Sequence, residues 1–317
     1  MSRAPRSSSS REARLFVGIS GWRYPPWRGV FYPEGLVQRR ELAFAASCFG
    51  SVEINGTFYG LQEPDRFRRW YDETPPDFRF AVKGSRFITH MKKLADIAVP
   101  LANFFASGPL ALGEKLGPIL WQLGPHTPLD LDRLAAFCER LPRTHDEAAR
   151  LAKRHDQRLR GRACTRALVD QRLRHALEPR HPSFFTPPVV RLLRRHGIAL
   201  VFADTAELFP YAEDVTADFV YLRLHGTGKI YVGGYHDAAL DGWAHRLRAW
   251  MAGGEPLDAR RILDRQARRR AARDAYVYFD NDVKVRAPFD ALRLARKLGL
   301  PERPCAGGDV PKTKGAR

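Results

Sequence analysis

Seven short apolar segments of this 317-residue chain carry an ionisable or amide side chain at or near their carboxyl ends. These side chains are Glu53, Lys83, Gln122, Glu178, Asp204, Arg223 with His225, and Asn281. Carboxyl, imidazole and amine groups act as general acids and bases in enzymes, and burial can raise the pKa of a carboxyl group into the working range. Guanidinium groups bind carboxylates and phosphates through paired hydrogen bonds. The residue types therefore predict acid/base chemistry on a small anionic or sugar-like compound.

One of these segments shows how a strand can deliver such groups to a loop. Residues 174–185 read RHALEPRHPSFF. Its two prolines exclude a helix, because proline lacks a backbone N–H and disfavours helical geometry in the residue before it. The pattern predicts a strand that ends at Glu178 and a loop that carries Arg180 and His181.

Alternation within the strands places the polar side chains on one face. In SVEIN, Glu53 and Asn55 share a face, and in FVYLRLH, Arg223 and His225 do the same. In a closed barrel one strand face points into the lumen, whereas the other packs beneath helices and must be apolar. The polar side chains are therefore predicted to point inward at the carboxyl-terminal rim, where barrel enzymes hold their active sites.

The elements that must position these residues repeat one theme, a short strand followed by an amphipathic helix. The predicted strands are 15–20, 51–55, 78–83, 118–123, 175–178, 199–204, 219–225 and 276–281. Helical patterns between them cover 37–49, 63–72, 129–140, 188–195, 238–251 and 288–298. Eight such units predict a single (β/α)8 TIM-type barrel of the α/β class. A doubly wound open sheet is the alternative, but no GxGxxG or phosphate-binding loop follows the first strand.

The domain organisation follows from the same pattern. The barrel is expected over 15–301, with an extra basic, helical insertion at 142–175 before the fifth strand. Basic tails at 1–14 and 302–317 are expected to be disordered. No apolar run approaches the roughly 20 residues of a membrane span, and the four cysteines are scattered without metal-like spacing. We expect reduced thiols, a cytoplasmic location and no membrane partner.

The formal net charge of +18 is concentrated outside the strands. The segment 142–175 holds ten Arg/Lys against four Asp/Glu, and 258–274 holds seven against three. Such segments can bind phosphate backbones non-specifically, although solvated helix faces explain the same composition. A non-catalytic barrel that binds nucleic acid through these two segments is therefore an open alternative.

A second alternative is metal-dependent chemistry. Oxygen and imidazole groups on strands five to eight, or just after them, could hold a divalent metal, as in an isomerase or an endonuclease acting on phosphodiesters. The candidate ligands are Glu178, Asp204, His225 and Asp282. The sequence determines neither a cofactor nor whether the protein is an enzyme at all.

Eight blocks of the chain resemble successive blocks of the YecE-like family, domain of unknown function seventy-two. They are VGISGWRYPPWRGVFYP, SVEINGTFYG, FRFAVKGSRFITH, LGPILWQLGP, LEPRHPSF, LVFADT, FVYLRLHGTGKIYVGGY and YVYFDND, in order from about 15 to 298. The resemblance implies a TIM-type barrel with a polar pocket at its carboxyl-terminal mouth, but it supplies no reaction. The chain departs from the family at Asp280, where Asn is usual, and in its longer 142–175 insertion, which lies where it could cover the pocket or bind a partner.

The resemblance and the strand pattern together define the candidate site. The positions that match the family's motif residues are Thr89 and the catalytic and substrate-binding residues that the next two sentences name. We expect the catalytic residues to be Glu53, Glu178, Asp204 and His225, with Glu53 and Glu178 as the base and acid. We expect the substrate-binding residues to be Asn55, Tyr59, Lys83, His90, Gln122, Arg180, His181, Arg223, Tyr231 and Asn281.

Overall fold

Eight parallel strands form a closed barrel in the computed structural model, which describes residues 12–228, 230–303 and 305. The strands are β1 (Leu15–Ser20), β2 (Ser51–Ile54), β3 (Arg79–Lys83), β4 (Leu116–Gln122), β5 (His175–Glu178), β6 (Ala199–Asp204), β7 (Phe219–Leu224) and β8 (Asp274–Phe279). Each strand pairs with the next in the sequence, and β8 closes on β1 through pairs such as Val17 with Val277. The predicted barrel is confirmed. Most of the two tails expected to be disordered, and Lys229 in the loop after β7, lie outside the described residues.

Helices connect the strands on the outside of the barrel. They are α1 (Glu41–Cys48), α2 (Gly56–Tyr59), α3 (Pro64–Asp72), α4 (Ala98–Ala106), α5 (Leu131–Arg140), α6 (His145–Ala152), α7 (Pro187–His196), α8 (Asp237–Met251) and α9 (Arg286–Lys297). Local chemistry sets several of their ends. Asp130 and Thr144 each accept a hydrogen bond from a first-turn backbone N–H and so begin α5 and α6. Gly197 ends α7 with a φ of 62°, which glycine adopts without a steric penalty.

The alternation predicted for the strands separates two apolar layers. Side chains that point outward, such as Ile54, Trp121 and Leu222, belong to the large core between strands and helices. Side chains that point inward fill the lower lumen, among them Ala81, Leu120 and Tyr221. Residues two positions further along the same strand faces are Lys83, Gln122 and Arg223, because side chains repeat with a period of two. The polar groups therefore stand above an apolar plug, at the carboxyl-terminal end.

The basic insertion at 142–175 is only partly helical. It contains α6 and a short 3-10 turn at Gln157–Leu159, and the rest runs as loop. Its last residues are held near the amino-terminal ends of the strands: Gln171 donates to the Leu116 carbonyl at the start of β4, and Arg174 pairs with Asp274 at the start of β8. None of its residues lines the mouth cavity described below.

The cysteines depart from the expectation of four reduced thiols. A disulfide joins Cys48 at the end of α1 to Cys305, 257 residues later in the sequence. The expectation was wrong for this pair because spacing along the chain says nothing about a contact that the closed barrel creates. Cys138 is free and buried, and Cys164 is free and half-buried. Among the described helices, none combines the length and apolar character that a membrane crossing requires.

Candidate functional site

A cavity of about 860 Å³ opens at the carboxyl-terminal mouth of the barrel. Seven of the ten predicted substrate-binding residues line it: Asn55, Tyr59, Lys83, His90, Gln122, Arg180 and Tyr231. Arg86, Asp280 and Asp282 line it as well. Of these three residues, the sequence predicts only Asp282 as a site residue, and it does so as a metal ligand. The four predicted catalytic residues do not line it. They lie beneath or beside it.

Beneath the cavity, the fully buried Arg223 on β7 binds three carboxylates. Its Nη2 lies 2.9 Å from Glu53 Oε1 and 2.8 Å from Asp280 Oδ2, and its Nη1 lies 3.0 Å from Glu178 Oε2. Burying an arginine or a carboxylate alone costs several kcal/mol, whereas mutual pairing offsets that cost. Burial opposes the charge, but the three carboxylates outweigh it and raise the pKa of Arg223 well above its usual range.

Glu178, at the end of β5, has no oxygen left for a ligand. Oε1 accepts hydrogen bonds from Gln122 and Arg180, and Oε2 accepts from Gln122 and Arg223. Burial would raise the pKa of this carboxyl group, but the guanidinium groups of Arg223 and Arg180 together hold it well below its usual range. The expectation that burial makes Glu178 an acid is corrected, since two cations keep it ionised.

Glu53, on β2, is engaged in the same way. Its Oε1 accepts from the Ser20 hydroxyl at 2.5 Å and its Oε2 from the Tyr221 hydroxyl at 2.6 Å, in addition to the contacts with Arg223. Its exposed fraction is 0%. Glu53 and Glu178 therefore hold Arg223 in place rather than reaching the cavity.

His225 and Asp204 are also bound within the protein. His225 Nε2 lies 3.3 Å from Arg223 Nη1, and its Nδ1 lies 3.2 Å from Asp280 Oδ2. Asp204 at the end of β6 accepts a hydrogen bond from the Tyr235 hydroxyl at 2.8 Å.

Two predicted substrate-binding residues brace loops. Asn281 Nδ2 donates to the Gly233 carbonyl at 3.0 Å and to Asp290 Oδ2 at 2.9 Å, which fastens the glycine-rich loop after β7 to α9. His181 Nδ1 contacts the Ser183 hydroxyl at 2.8 Å at the start of a short 3-10 turn. Neither lines the mouth cavity.

The four candidate metal ligands do not converge. Within the part of the chain that the structure describes, no three His, Cys, Asp or Glu side chains form a group that could hold a metal ion. Glu178 is taken by two arginines and an amide, and Asp204 by Tyr235. The donor set therefore does not fit a resident divalent ion at this mouth.

Lys83, the last residue of β3, is a buried amine that faces the cavity. Its Nζ lies 4.3 Å from the centroid of the Phe58 ring, and no carboxylate of the described residues lies within 4.0 Å of it. Burial, followed by repulsion from Arg223, lowers the pKa of Lys83 to about 8. Glu53 on the neighbouring strand does not form an ion pair with Lys83, because its carboxylate is bound to Arg223.

Asp282 lies two residues after Asp280, in the loop that follows β8. Unlike Asp280, it has a carboxyl group without an ion-pair partner among the described residues. No described side chain donates a hydrogen bond to it or forms an ion pair with it, and it lines the cavity. Burial, followed by repulsion from Asp280, raises its pKa to about 6. The signal in the sequence was the pair of acids around Asn281, but only the fold shows that Arg223 neutralises one of them and leaves the other free.

His90, Arg86 and Arg180 complete the ionisable lining. His90 Nδ1 contacts the Thr89 hydroxyl at 2.9 Å, and burial followed by repulsion from Lys83 lowers the pKa of the imidazole, which is neutral at pH 7. Arg86 lies over the Tyr59 ring at 5.6 Å. Arg180 lies over the Phe209 ring at 4.6 Å. The side chains of Lys83, Arg86 and Arg180 give this part of the cavity wall a positive charge suited to an anion.

Comparisons with known proteins agree with this architecture. A family model described as protein of unknown function DUF72 matches residues 16–314. The UPF0759 protein YecE of Escherichia coli K12 is 28% identical over 178 residues, which are 52% of this chain and 62% of that protein. The UPF0759 protein YunF of Bacillus subtilis is 29% identical over 75 residues, which are 24% of this chain and 26% of that protein. The matched regions thus span less than two thirds of these curated relatives.

Solved structures show the same fold. A DUF72 family protein from Thermotoga maritima has a TM-score of 0.67 at 24% identity, and the match covers 90% of this chain and 99% of that one. A DUF72 family protein from Enterococcus faecalis has a TM-score of 0.64 at 16% identity, covering 90% and 96%. At this level of identity the likeness establishes the barrel fold alone, and the chemistry is inferred from the residues of the site.

Proposed function

Because the chain belongs to the DUF72 family, whose description states no reaction, we propose a function from the mouth cavity itself. The protein is an enzyme that performs acid/base chemistry on a small anionic or sugar-like compound. One observation carries this proposal: Lys83 and Asp282 line one cavity, and neither has an ion-pair partner among the described side chains.

The two groups are suited to opposite halves of a proton transfer. Burial moves the pKa of Asp282 up to about 6 and that of Lys83 down to about 8. Between these values, Asp282 is a carboxylate that can accept a proton and Lys83 is an ammonium that can donate one. Pairs of groups whose environments shift their pKa values toward neutrality are typical of acid/base sites.

The remaining lining supplies recognition. Arg180 and Arg86 offer guanidinium groups to a carboxylate or phosphate. Asn55 lines the cavity and donates through Nδ2 to Ser20, and its buried Oδ1 has no donor among the described groups, so the amide keeps an unused acceptor beside the ligand space. Phe58 and Tyr59 provide aromatic faces on which a sugar ring can stack. These contacts fit a polyhydroxylated anion.

In this proposal the buried acids become positioning residues. Glu53 and Glu178 hold Arg223, which holds Asp280, and Gln122 and Arg180 are fixed by Glu178. Asp282 and Lys83 take the roles of base and acid that the sequence assigned to Glu53 and Glu178.

The test is a pH profile of turnover. A panel of phosphorylated sugars and sugar acids is screened for a rise in melting temperature, and compounds that bind are assayed for conversion. We expect a bell-shaped profile with limbs near pH 6 and pH 8, since activity needs ionised Asp282 and protonated Lys83. D282N and K83M should each lower kcat at least about 100-fold.

Exposed residues of the same types provide the controls. D132N and K153M change side chains on the barrel exterior and should leave kcat within about twofold. Wild-type turnover in D282N, or a profile without the limb near pH 6, would contradict the assignment of Asp282 as the base.

A further inference from the structure

A second large cavity lies at the opposite end of the barrel from the mouth. It has a volume of about 780 Å³, and its walls come from residues that precede strands: Gly197 before β6, 215–218 before β7, and 265–273 before β8. In a parallel barrel the amino-terminal ends of all strands lie at one end. Both arginine-rich segments of the sequence contribute to this cavity. Residues 265–273 belong to the segment 258–274, and Arg172 belongs to the segment 142–175.

The cavity is lined by six arginines and one acid. The arginines are Arg172, Arg194, Arg265, Arg268, Arg270 and Arg273, and the acid is Asp218. We name this set the arginine groove. Asp218 pairs with Arg172 at 3.4 Å and with Arg174 outside the groove at 3.7 Å. No other arginine of the groove has a carboxylate within 4.0 Å among the described residues. Glu255, which pairs with Arg261 at 3.6 Å, attracts Arg194 and Arg273 from a longer distance.

Two of these arginines, Arg194 and Arg273, are held by backbone carbonyls and form no ion pair within 4.0 Å among the described residues, so the one carboxylate near both of them, Glu255, compensates their charge only in part. Arg194 donates to the carbonyls of Val215 and Arg265, and its Nη2 is buried without an acceptor. Arg273, 1% exposed, donates to the carbonyls of Gly254 and Arg268, and its Nε is buried without an acceptor. Carbonyls satisfy hydrogen bonds but do not neutralise charge. Like charges held together in this way repel one another, and a bound polyanion would relieve that repulsion.

We propose that the arginine groove binds the phosphate backbone of a duplex nucleic acid without reading its sequence. Several guanidinium groups along one groove match a chain of phosphates better than a single one. Aromatic side chains are missing from the described lining of the groove, so it offers no platform for stacking unpaired bases. Contacts restricted to phosphates position a duplex but do not distinguish bases. The inference does not depend on the function proposed for the mouth.

The test is fluorescence anisotropy of a labelled 20-base-pair DNA duplex at 50 and 200 mM salt. The variant R268E/R270E changes two exposed side chains of the groove. The matched control K153E/R154E makes the same charge change at two exposed positions of the other basic segment, outside the groove. Thermal melting confirms that both variants fold.

We expect R268E/R270E to weaken duplex binding at least about tenfold and to reduce its dependence on salt, because about two phosphate contacts are lost. The control should change binding less than about threefold. Equal losses in both variants would overturn the proposal, because net charge alone would then explain binding.

Two further measurements identify the ligand and the site. Inorganic tripolyphosphate is titrated as a small polyanion; binding of tripolyphosphate without binding of the duplex would overturn the assignment to nucleic acid. K83M, at the opposite end of the barrel, should bind the duplex as well as wild type does. A loss of duplex binding in K83M that R268E/R270E does not share would place the duplex at the mouth and overturn the proposal.

Discussion

Arg223 decides which acids of the mouth can take part in proton transfer. It pairs with Glu53, Glu178 and Asp280, and it leaves Asp282 without an ion-pair partner among the described residues. Burial raises the pKa of Asp280, but Arg223 and His225 outweigh this effect and hold it well below its usual range. Asp280 and Asp282 therefore have pKa values shifted in opposite directions, because only Asp280 contacts the guanidinium group of Arg223.

The unpaired carboxylate of Asp282 should cost stability. Its folded-state pKa is raised from 3.8 to about 6, so the folded protein holds the proton more tightly than the unfolded chain. Stability is therefore lost as the pH rises through this range. D282N removes the charge, and we expect it to raise the free energy of unfolding by about 1–2 kcal/mol at pH 8, after a discount for partial exposure.

The measurement is urea unfolding of wild type and D282N at pH 8 and pH 5. The gain should fall to about half at pH 5, where wild-type Asp282 is largely protonated in the folded state. D132N serves as the control for an exposed acid and should show no gain at either pH. A destabilised D282N at pH 8 would mean that the carboxylate has a partner that stabilises its charge.

At the scale of elements, the end of β3 shows how close packing fixes a reactive group. Lys83 is followed by Gly84, whose backbone N–H donates to the Leu120 carbonyl at 2.7 Å and extends the pairing with β4. A Cβ atom at Gly84 would overlap the indole of the fully buried Trp121. Glycine is therefore required at this position by the neighbouring strand, and the position of Lys83 depends on that contact.

Two glycine-to-alanine substitutions should have opposite effects. G84A forces Trp121 or β3 to move, and we expect it to lower the free energy of unfolding by about 1–3 kcal/mol. Gly242 lies within the exposed face of α8, where an added Cβ meets no atom within 4 Å. G242A should raise the free energy of unfolding by about 0.5–1 kcal/mol because alanine favours the helix.

Thermal or urea unfolding of the two variants checks this pair. If the proposed function is correct, G84A should also lower kcat by displacing Lys83, whereas G242A should not. A G84A variant as stable as wild type would show that Trp121 can move without cost.

For the molecule as a whole, closure of the barrel brings distant parts of the chain together. Pairing of β1 with β8 joins the two ends of the fold, and the Cys48–Cys305 disulfide links α1 to the segment beyond α9. The same closure separates two charged surfaces, with the mouth cavity at one end of the strands and the arginine groove at the other. The two ends can therefore be tested independently.

The disulfide should stabilise the protein by restricting the unfolded chain. Closing a loop of 257 residues is expected to contribute about 2–5 kcal/mol. C305S should lose this contribution under oxidising conditions and match wild type in the presence of a reductant. Alkylation followed by mass spectrometry should find two free thiols in oxidised wild type, Cys138 and Cys164.

Four alkylated cysteines without prior reduction would contradict the pairing. The cytoplasmic location inferred from the sequence stays a prediction, and disulfides are uncommon in that compartment. The alkylation experiment therefore tests the Cys48–Cys305 pairing and also bears on the predicted location.

Strand alternation and the order of the elements were enough to predict the barrel, its eight strands to within about two residues at each end, and the end of the barrel that gathers polar side chains. These features depend on local periodicity, which the sequence displays directly. Seven predicted ligand-binding residues lie in the mouth cavity for the same reason. Which basic group forms an ion pair with each acid depends instead on distances across the lumen. Only the tertiary structure shows that Arg223 binds Glu53 and Glu178 and leaves Lys83 and Asp282 facing the cavity, because ion pairing and desolvation are set by neighbours that are remote in the sequence.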